Sequence, residues 1–140
     1  MTAILTRPVV SIEGDRQTGK TETLLRIGAS EFLAGNRILW VSSALALARN
    51  DHMRMLEYLD GEWSRRTSGA ANLTITGDRG GEIRFITGRI PGAGRGVEAD
   101  VLILDDAHEY EGAIDSLMYT LSPTAPFGGR AYVARVTKNG

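Results

Sequence analysis

Cysteine is absent from the 140-residue chain, which excludes a disulfide framework, a zinc-thiolate site and a thiol nucleophile. Lysine is nearly absent too. Of sixteen basic residues only Lys20 and Lys138 are lysines, so a lysine is a rare choice wherever it stands. Neither charge is in excess: sixteen Lys plus Arg against seventeen Asp plus Glu leave a net charge of −1, too little for a uniform positive field that would hold DNA or an acidic membrane. Any contact with nucleic acid is therefore expected to be local. No apolar run approaches the roughly eighteen residues of a membrane span, and Met1 to Pro8 lack the basic-then-apolar pattern of a signal peptide. The sequence thus predicts no membrane association and a cytoplasmic location. What remains is 42% hydrophobic and 24% charged, the mix of one compact globular domain over residues 1–140.

Charge is unevenly placed along the chain. Residues 61–95 carry six Arg against three acids, whereas residues 98–115 carry seven acids and no Lys or Arg. The apolar pattern gives the elements. Pro8 to Glu13 reads as a buried strand ending at Gly14. Lys20 to Ala34 reads as a helix stopped by Gly35-Asn36, and Arg37 to Ser42 as a second buried strand. Leu45, Ala48, His52, Met55, Leu56 and Leu59 recur at spacings of three and four, so 44–60 is an amphipathic helix with His52 and Trp40 as core residues. Residues 61–72 read as an exposed connection. Leu73 to Thr76 and Glu82 to Thr87 form a β-hairpin, and the four glycines of 88–96 a mobile loop. Val101 to Leu104, the most apolar run, is a buried strand. A helix over about 112–121 and a last strand over 130–136 follow. The alternation predicts an α/β fold with a mainly parallel sheet of about five strands flanked by helices, plus the hairpin.

The most informative segment is Gly14-Asp15-Arg16-Gln17-Thr18-Gly19-Lys20-Thr21, a full match to G-x-x-x-x-G-K-[ST]. A chance match in a chain of this composition has a frequency of roughly 0.4%. A strand runs into it and a helix leaves it, so successive backbone N–H groups can wrap a polyphosphate. Lys20 then reaches the β and γ phosphates and the Thr21 hydroxyl binds Mg2+. In a P-loop fold a buried strand beside the first ends on an Asp that orders this ion, and Asp105 fits that role. The next acid, Asp106, is positioned to orient the attacking water as general base, or else is a solvated loop acid. Arg16 either swings over the γ-phosphate as a finger supplied in cis or pairs with Asp15 or Glu13.

The chain at this point resembles the ATPase domain of tailed-phage large terminase subunits, the motors that package DNA into capsids. The resemblance rests on Arg16 to Glu22, on Gly94-Arg95-Gly96-Val97-Glu98-Ala99-Asp100, on the acidic box Val101 to Glu109, on Leu121-Ser122-Pro123-Thr124, and on Val136 to Gly140 as the coupling motif. It implies a P-loop NTPase of the RecA-like, ASCE type that binds ATP and Mg2+. The nucleotide site would comprise Gly14, Asp15, Arg16, Gln17, Thr18, Gly19, Lys20, Thr21 and Glu22, with Thr21 and Asp105 on the metal and Asp106, Arg16 and Lys20 catalytic. Thr137, Arg95 and His108 become coupling candidates: Arg95 acts on a neighbouring subunit, senses the nucleotide or is solvated, and His108 links nucleotide state to a neighbouring element or lies on the surface. The implied partners are double-stranded DNA, weakly bound by the isolated domain, a portal protein or small terminase subunit, and further copies of the chain.

Two departures bear on function. Asp106 stands where the family has Glu, which shortens the base by one methylene, and Lys138 replaces the usual proline of the coupling motif. No second acidic cluster is present in the sequence, so nuclease activity is not expected. Three functions are therefore compared: a Mg2+-dependent ATPase that moves DNA, a slow or non-hydrolysing nucleotide-binding accessory protein derived from a terminase, and a superfamily 2 helicase-like fragment. The last needs a second RecA-like domain. The arginines Arg65, Arg66, Arg79, Arg84 and Arg89 are candidates for tracking phosphate backbone, with a solvated face as their other reading.

Overall fold

A computed structural model describes residues 9–14, 19–69, 72–121 and 129–136. The elements in order are β1 (Val9–Gly14), α1 (Lys20–Leu33), β2 (Arg37–Ser42), α2 (Leu45–Leu59), β3 (Arg65–Gly69), β4 (Asn72–Thr76), β5 (Glu82–Thr87), β6 (Val101–Leu104), α3 (Ile114–Met118) and β7 (Arg130–Val136), with short 3-10 turns at Ala107–Glu109 and Glu111–Ala113. Among the described residues the strands form one seven-stranded sheet in the order β1-β7-β6-β2-β5-β4-β3. The first five in that order run parallel, while β4 and β3 add as antiparallel strands.

The sheet's two faces explain the sequence pattern. One face carries Ile38, Trp40, Ile83, Phe85, Val101 and Ile103 beneath α1 and α2, which contribute Leu24, Leu25, Phe32, Ala48, Met55 and Leu59. His52 joins this layer: it is 1% exposed, its Nε2 lies 3.1 Å from the Thr74 carbonyl, and its ring meets Phe85 edge-on. The other face carries Leu39, Val41, Leu102, Leu104, Ala131 and Val133 beneath Ala107, Tyr110, Leu117 and Leu121. Strands β2 and β6 are covered on both sides and read as unbroken apolar runs. The second cover stops there. Ile86 of β5 packs at its margin; beyond it that face of β5, β4 and β3 is polar, and Arg65, Thr67, Thr74, Thr76, Glu82 and Arg84 line an open groove of about 250 Å3. This is why β5 alternates while β6 does not.

Four expectations need correction. The first strand is not buried: β1 lies at the edge of the sheet, paired only with β7, and Val9 and Val10 are about half exposed. Nor is the acidic strand beside it, because β7 intervenes between β1 and β6. The stretch expected as a connection contains β3, which pairs with β4 despite its polar sequence. The helix expected over 112–121 is cut to five residues, with a 3-10 turn before it.

The glycine-rich loop is a regular structure. Ala93, Arg95 and Val97 donate their N–H groups to the carbonyls of Ile90, Gly92 and Gly94, and Gly92, Gly94 and Gly96 all have φ between 75° and 80°. These are three successive type II turns, each with a glycine at the position that demands positive φ. The run Pro91-Gly92-Ala93-Gly94-Arg95-Gly96 spells them as three X-Gly pairs.

Candidate nucleotide site

Four strand ends and one helix start converge. β1 ends at Gly14, β7 at Val136, and β2 at Ser42, with Ser43 following; β6 runs into Asp105 and Asp106. Between them lies a cleft of about 340 Å3 lined by Lys20, Ser43, Leu47, Asp106, His108, Glu109 and Val136. Ligands of open α/β sheets bind outside the carboxyl ends of the strands, where this cleft sits. Asp15, Arg16, Gln17 and Thr18 lie outside the described residues, as do Ser122, Pro123, Thr124 and Thr137. Gly19 enters α1 with φ 72°, a left-handed conformation that glycine adopts without strain. Lys20, the first helical residue, is 7% exposed, and its Nζ donates to the Gly14 carbonyl at 3.3 Å. The lysine is thus folded back along the chain, at the wall of the cleft.

Thr21 and Asp105, 84 positions apart in sequence, meet directly: Thr21 Oγ1 donates to Asp105 Oδ2 at 2.8 Å. This hydroxyl-carboxylate pair fits Mg2+, a hard cation that takes one or two protein oxygens and completes its shell with phosphate oxygens and water. Asp105 is 4% exposed. Burial pushes its carboxyl above the ordinary aspartate value, and the Thr21 hydroxyl and Lys20 pull it back. Asp106 adopts the left-handed conformation at φ 50° and ψ 42°. A non-glycine residue held there costs energy and is kept only where neighbours fix it.

His108 does more than occupy a surface loop. Its Nδ1 accepts the Val136 N–H at 3.2 Å, which ties the acidic turn to the end of β7, one residue before Thr137. Two other candidates lie away from the cleft. Glu22 faces solvent and pairs with Arg26 at 3.1 Å. Arg95 lines a separate cavity of about 620 Å3 between the triple turn and α3, its guanidinium folded back over Gly92. Asp100 of the segment before the acidic strand has a structural task, since Arg37 holds it by its backbone N–H, Nε and Nη2.

Sequence reasoning missed Ser43, Glu109 and Asp51. The signal for Asp51 was an acid inside the apolar stripe of α2, between Ala48 and Met55. It is 4% exposed, and its Oδ2 accepts from Trp40 Nε1 and Ser42 Oγ, both at 3.1 Å. Burial, with the charge of Asp105 adding to it, pushes its pKa up to about 6 from 3.8. Folding therefore favours the protonated acid, so its contribution is fully present below about pH 3.8 and is lost as pH rises through about 6. Asp51→Asn keeps an acceptor for Trp40 without the charge. Relative to the parent it should gain roughly 1–3 kcal/mol of stability between pH 4 and pH 7.5, read from urea unfolding at both. A difference that does not change with pH would remove the buried-charge explanation.

Neither a known protein family nor a curated protein sequence matches the chain. Solved structures do. The ATPase domain of the Thermus phage P74-26 large terminase superposes with a TM-score of 0.67 over 95% of the chain, at 17% sequence identity, in its unaltered form and as an arginine-to-alanine mutant. The fold is that of a P-loop NTPase. The chain spans about three-fifths of the solved domain, 61% of its length, and the likeness at this identity is one of fold. In this fold the Gly19-Lys20-Thr21 corner opens α1, and Asp105 at the end of β6 faces it.

Proposed function

We propose that the chain is a Mg2+-dependent ATP-binding and ATP-hydrolysing module of a terminase-type motor that moves double-stranded DNA. The observation that carries this reading is the Thr21–Asp105 contact at 2.8 Å, with Lys20 and Asp106 on one cleft beside it. Lys20 releases the Gly14 carbonyl and takes the β and γ phosphates of ATP as a point charge. Mg2+, held by the oxygens of Thr21 and Asp105, neutralises phosphate charge. Asp106 orients a water toward the γ-phosphorus and accepts its proton as the new P–O bond forms and the bond to the β-phosphate oxygen breaks, giving ADP and phosphate. Arg16, inside the phosphate loop, acts as the finger in cis. Arg95, outside the cleft on an exposed turn, serves a neighbouring copy, and the His108–Val136 bond carries the state of the acidic turn to Thr137.

The arginines do not form one patch. Arg79 sits before β5 and Arg89 after it, so the strand's six residues, roughly 20 Å of chain, separate them. Arg79 donates to the Leu33 carbonyl, and Arg89 is paired with Glu109 at 2.6 Å. Arg65 and Arg84 instead share the uncovered face with three threonines, and Arg84 Nε is buried without a partner among the described residues. This face supports the reading of a phosphate-backbone contact. ATP hydrolysis measured with and without double-stranded DNA tests the function: turnover should rise with DNA, and Arg65→Gln with Arg84→Gln should lose that rise and lower the salt slope of DNA binding by about two. Turnover in the parent that ignores DNA would reject the motor. A second reading, a nucleotide-binding accessory protein that hydrolyses slowly or not at all, is favoured by the short side chain of Asp106. Tight ATP binding without turnover would establish it. Portal protein, small terminase subunit and further copies of the chain are the partners proposed under either reading.

A further inference from the structure

Tyr110 is a buried polar side chain that the proposed chemistry leaves unused. It stands four residues after Asp106 and is 6% exposed. Its hydroxyl donates to the Asp105 carbonyl at 2.6 Å and lies 3.1 Å from the Val41 carbonyl, which also accepts the Asp105 N–H at 2.9 Å.

The Asp105 carbonyl belongs to the peptide unit whose other end is the Asp106 N–H. That N–H donates to Asp105 Oδ1 at 3.0 Å. One peptide unit is thus held at both ends, its oxygen by Tyr110 and its hydrogen by Asp105. The orientation of this unit sets φ of Asp106, and rotating it takes the residue out of the left-handed region, where φ is 50°. Aspartate enters this region more readily than most non-glycine residues, but it is kept there only where neighbouring contacts hold it.

The tyrosine ring is fixed as well. A Cβ at Gly88 would meet two of its ring carbons at 2.6 and 2.7 Å, so only glycine lets the ring seat where it does. Gly88 is itself pinned, its N–H donating to the Ser42 carbonyl at 2.9 Å. The hydroxyl cannot move away without displacing the end of β5.

We propose that Tyr110 is a positioning residue for Asp106: its hydroxyl locks the peptide between Asp105 and Asp106 in the orientation that turns the Asp106 carboxylate into the nucleotide cleft. This rests on the reading of Asp106 as the acid that orients water. Burial, with the nearby charges of Asp105 and Asp106, raises the phenol pKa, so the hydroxyl remains a donor across the range of an activity assay.

Tyr110→Phe keeps the ring and removes only the donor. In steady-state ATP hydrolysis it should lower kcat about tenfold and leave KM, and the Kd for ATP with Mg2+ by calorimetry, within about twofold, because the base is misaimed while the phosphate contacts persist. An unchanged kcat, or a parallel loss of kcat and affinity, overturns the proposal. Amide hydrogen exchange of the nucleotide-free protein separates this from the functional reading. The Asp106 amide should exchange about tenfold faster in Tyr110→Phe, while Trp40 and Ile103 in the central strands keep their protection. If the parent hydrolyses no ATP but this exchange pattern is seen, the ATPase reading fails and the positioning of the turn stands. If Asp106 exchange is unchanged, the positioning fails whatever the activity.

Discussion

Replacing Lys20 with alanine is expected to weaken ATP binding about 30- to 100-fold and to leave the fold intact. The factor follows from losing a charge-assisted contact, worth roughly 2–3 kcal/mol in a partly desolvated site. Lys20 is 7% exposed, and its ammonium donates to a backbone carbonyl, Gly14, at the end of an edge strand. Burying a charge there already costs free energy, so its removal should shift the melting temperature by only a few degrees. Calorimetric titration with ATP and Mg2+, with circular dichroism on the same samples, makes the measurement. A folded variant that binds ATP as the parent does would reject the whole P-loop assignment, since Lys20 is the one Lys or Arg that borders the cleft among the described residues.

Lengthening Asp106 gives the second large effect, and here two terms oppose. Asp106→Glu returns the missing methylene and should raise turnover about tenfold, within the range that a well-placed general base supplies. The same change places a longer side chain in a left-handed backbone conformation that suits Asp better than Glu, at a cost of roughly 0.5–1 kcal/mol in stability. The variant should therefore be faster and slightly less stable. Asp106→Ala should abolish hydrolysis with binding retained. A slower Asp106→Glu enzyme that still binds ATP would show that the base is not limited by its reach. The backbone geometry also gives a reason for an aspartate at this position, namely that φ is 50°.

The sequence pattern read well where burial is complete. Val101 to Leu104 is apolar at every position because β6 is covered on both faces, and 130–136 appears as a strand with the bounds expected. Thr21 and Asp105 were expected at one ion from the G-x-x-x-x-G-K-[ST] run and the acid that ends an apolar strand, and they lie in contact at 2.8 Å. Edge positions were not legible. Val9, Val10 and Ile12 look like a core strand locally, and only the order of strands decides that β1 has one neighbour. Arg65 to Gly69 has no strand propensity of note and is drawn into the sheet by pairing with β4. The left-handed turn at Asp106 and the peptide clamp of Tyr110 depend on contacts with β2 and Gly88, which no local pattern records.

The two margins of the sheet are unequal. Beyond β3, Arg65, Arg66 and Gly69 discourage any further strand, whereas at β1 stand half-exposed valines on a strand with one partner among the described residues. Among the described residues, β1 is thus secured by a single ladder. On the proposed reading, a nucleotide held by Lys20 on one side and the acidic turn on the other would reach across β7 as a clasp, fastening that strand to its neighbours. Ligand and fold would then be coupled: the loaded protein would resist unfolding by RT ln(1 + [L]/Kd) more than the empty one, with the gain concentrated at the first strand.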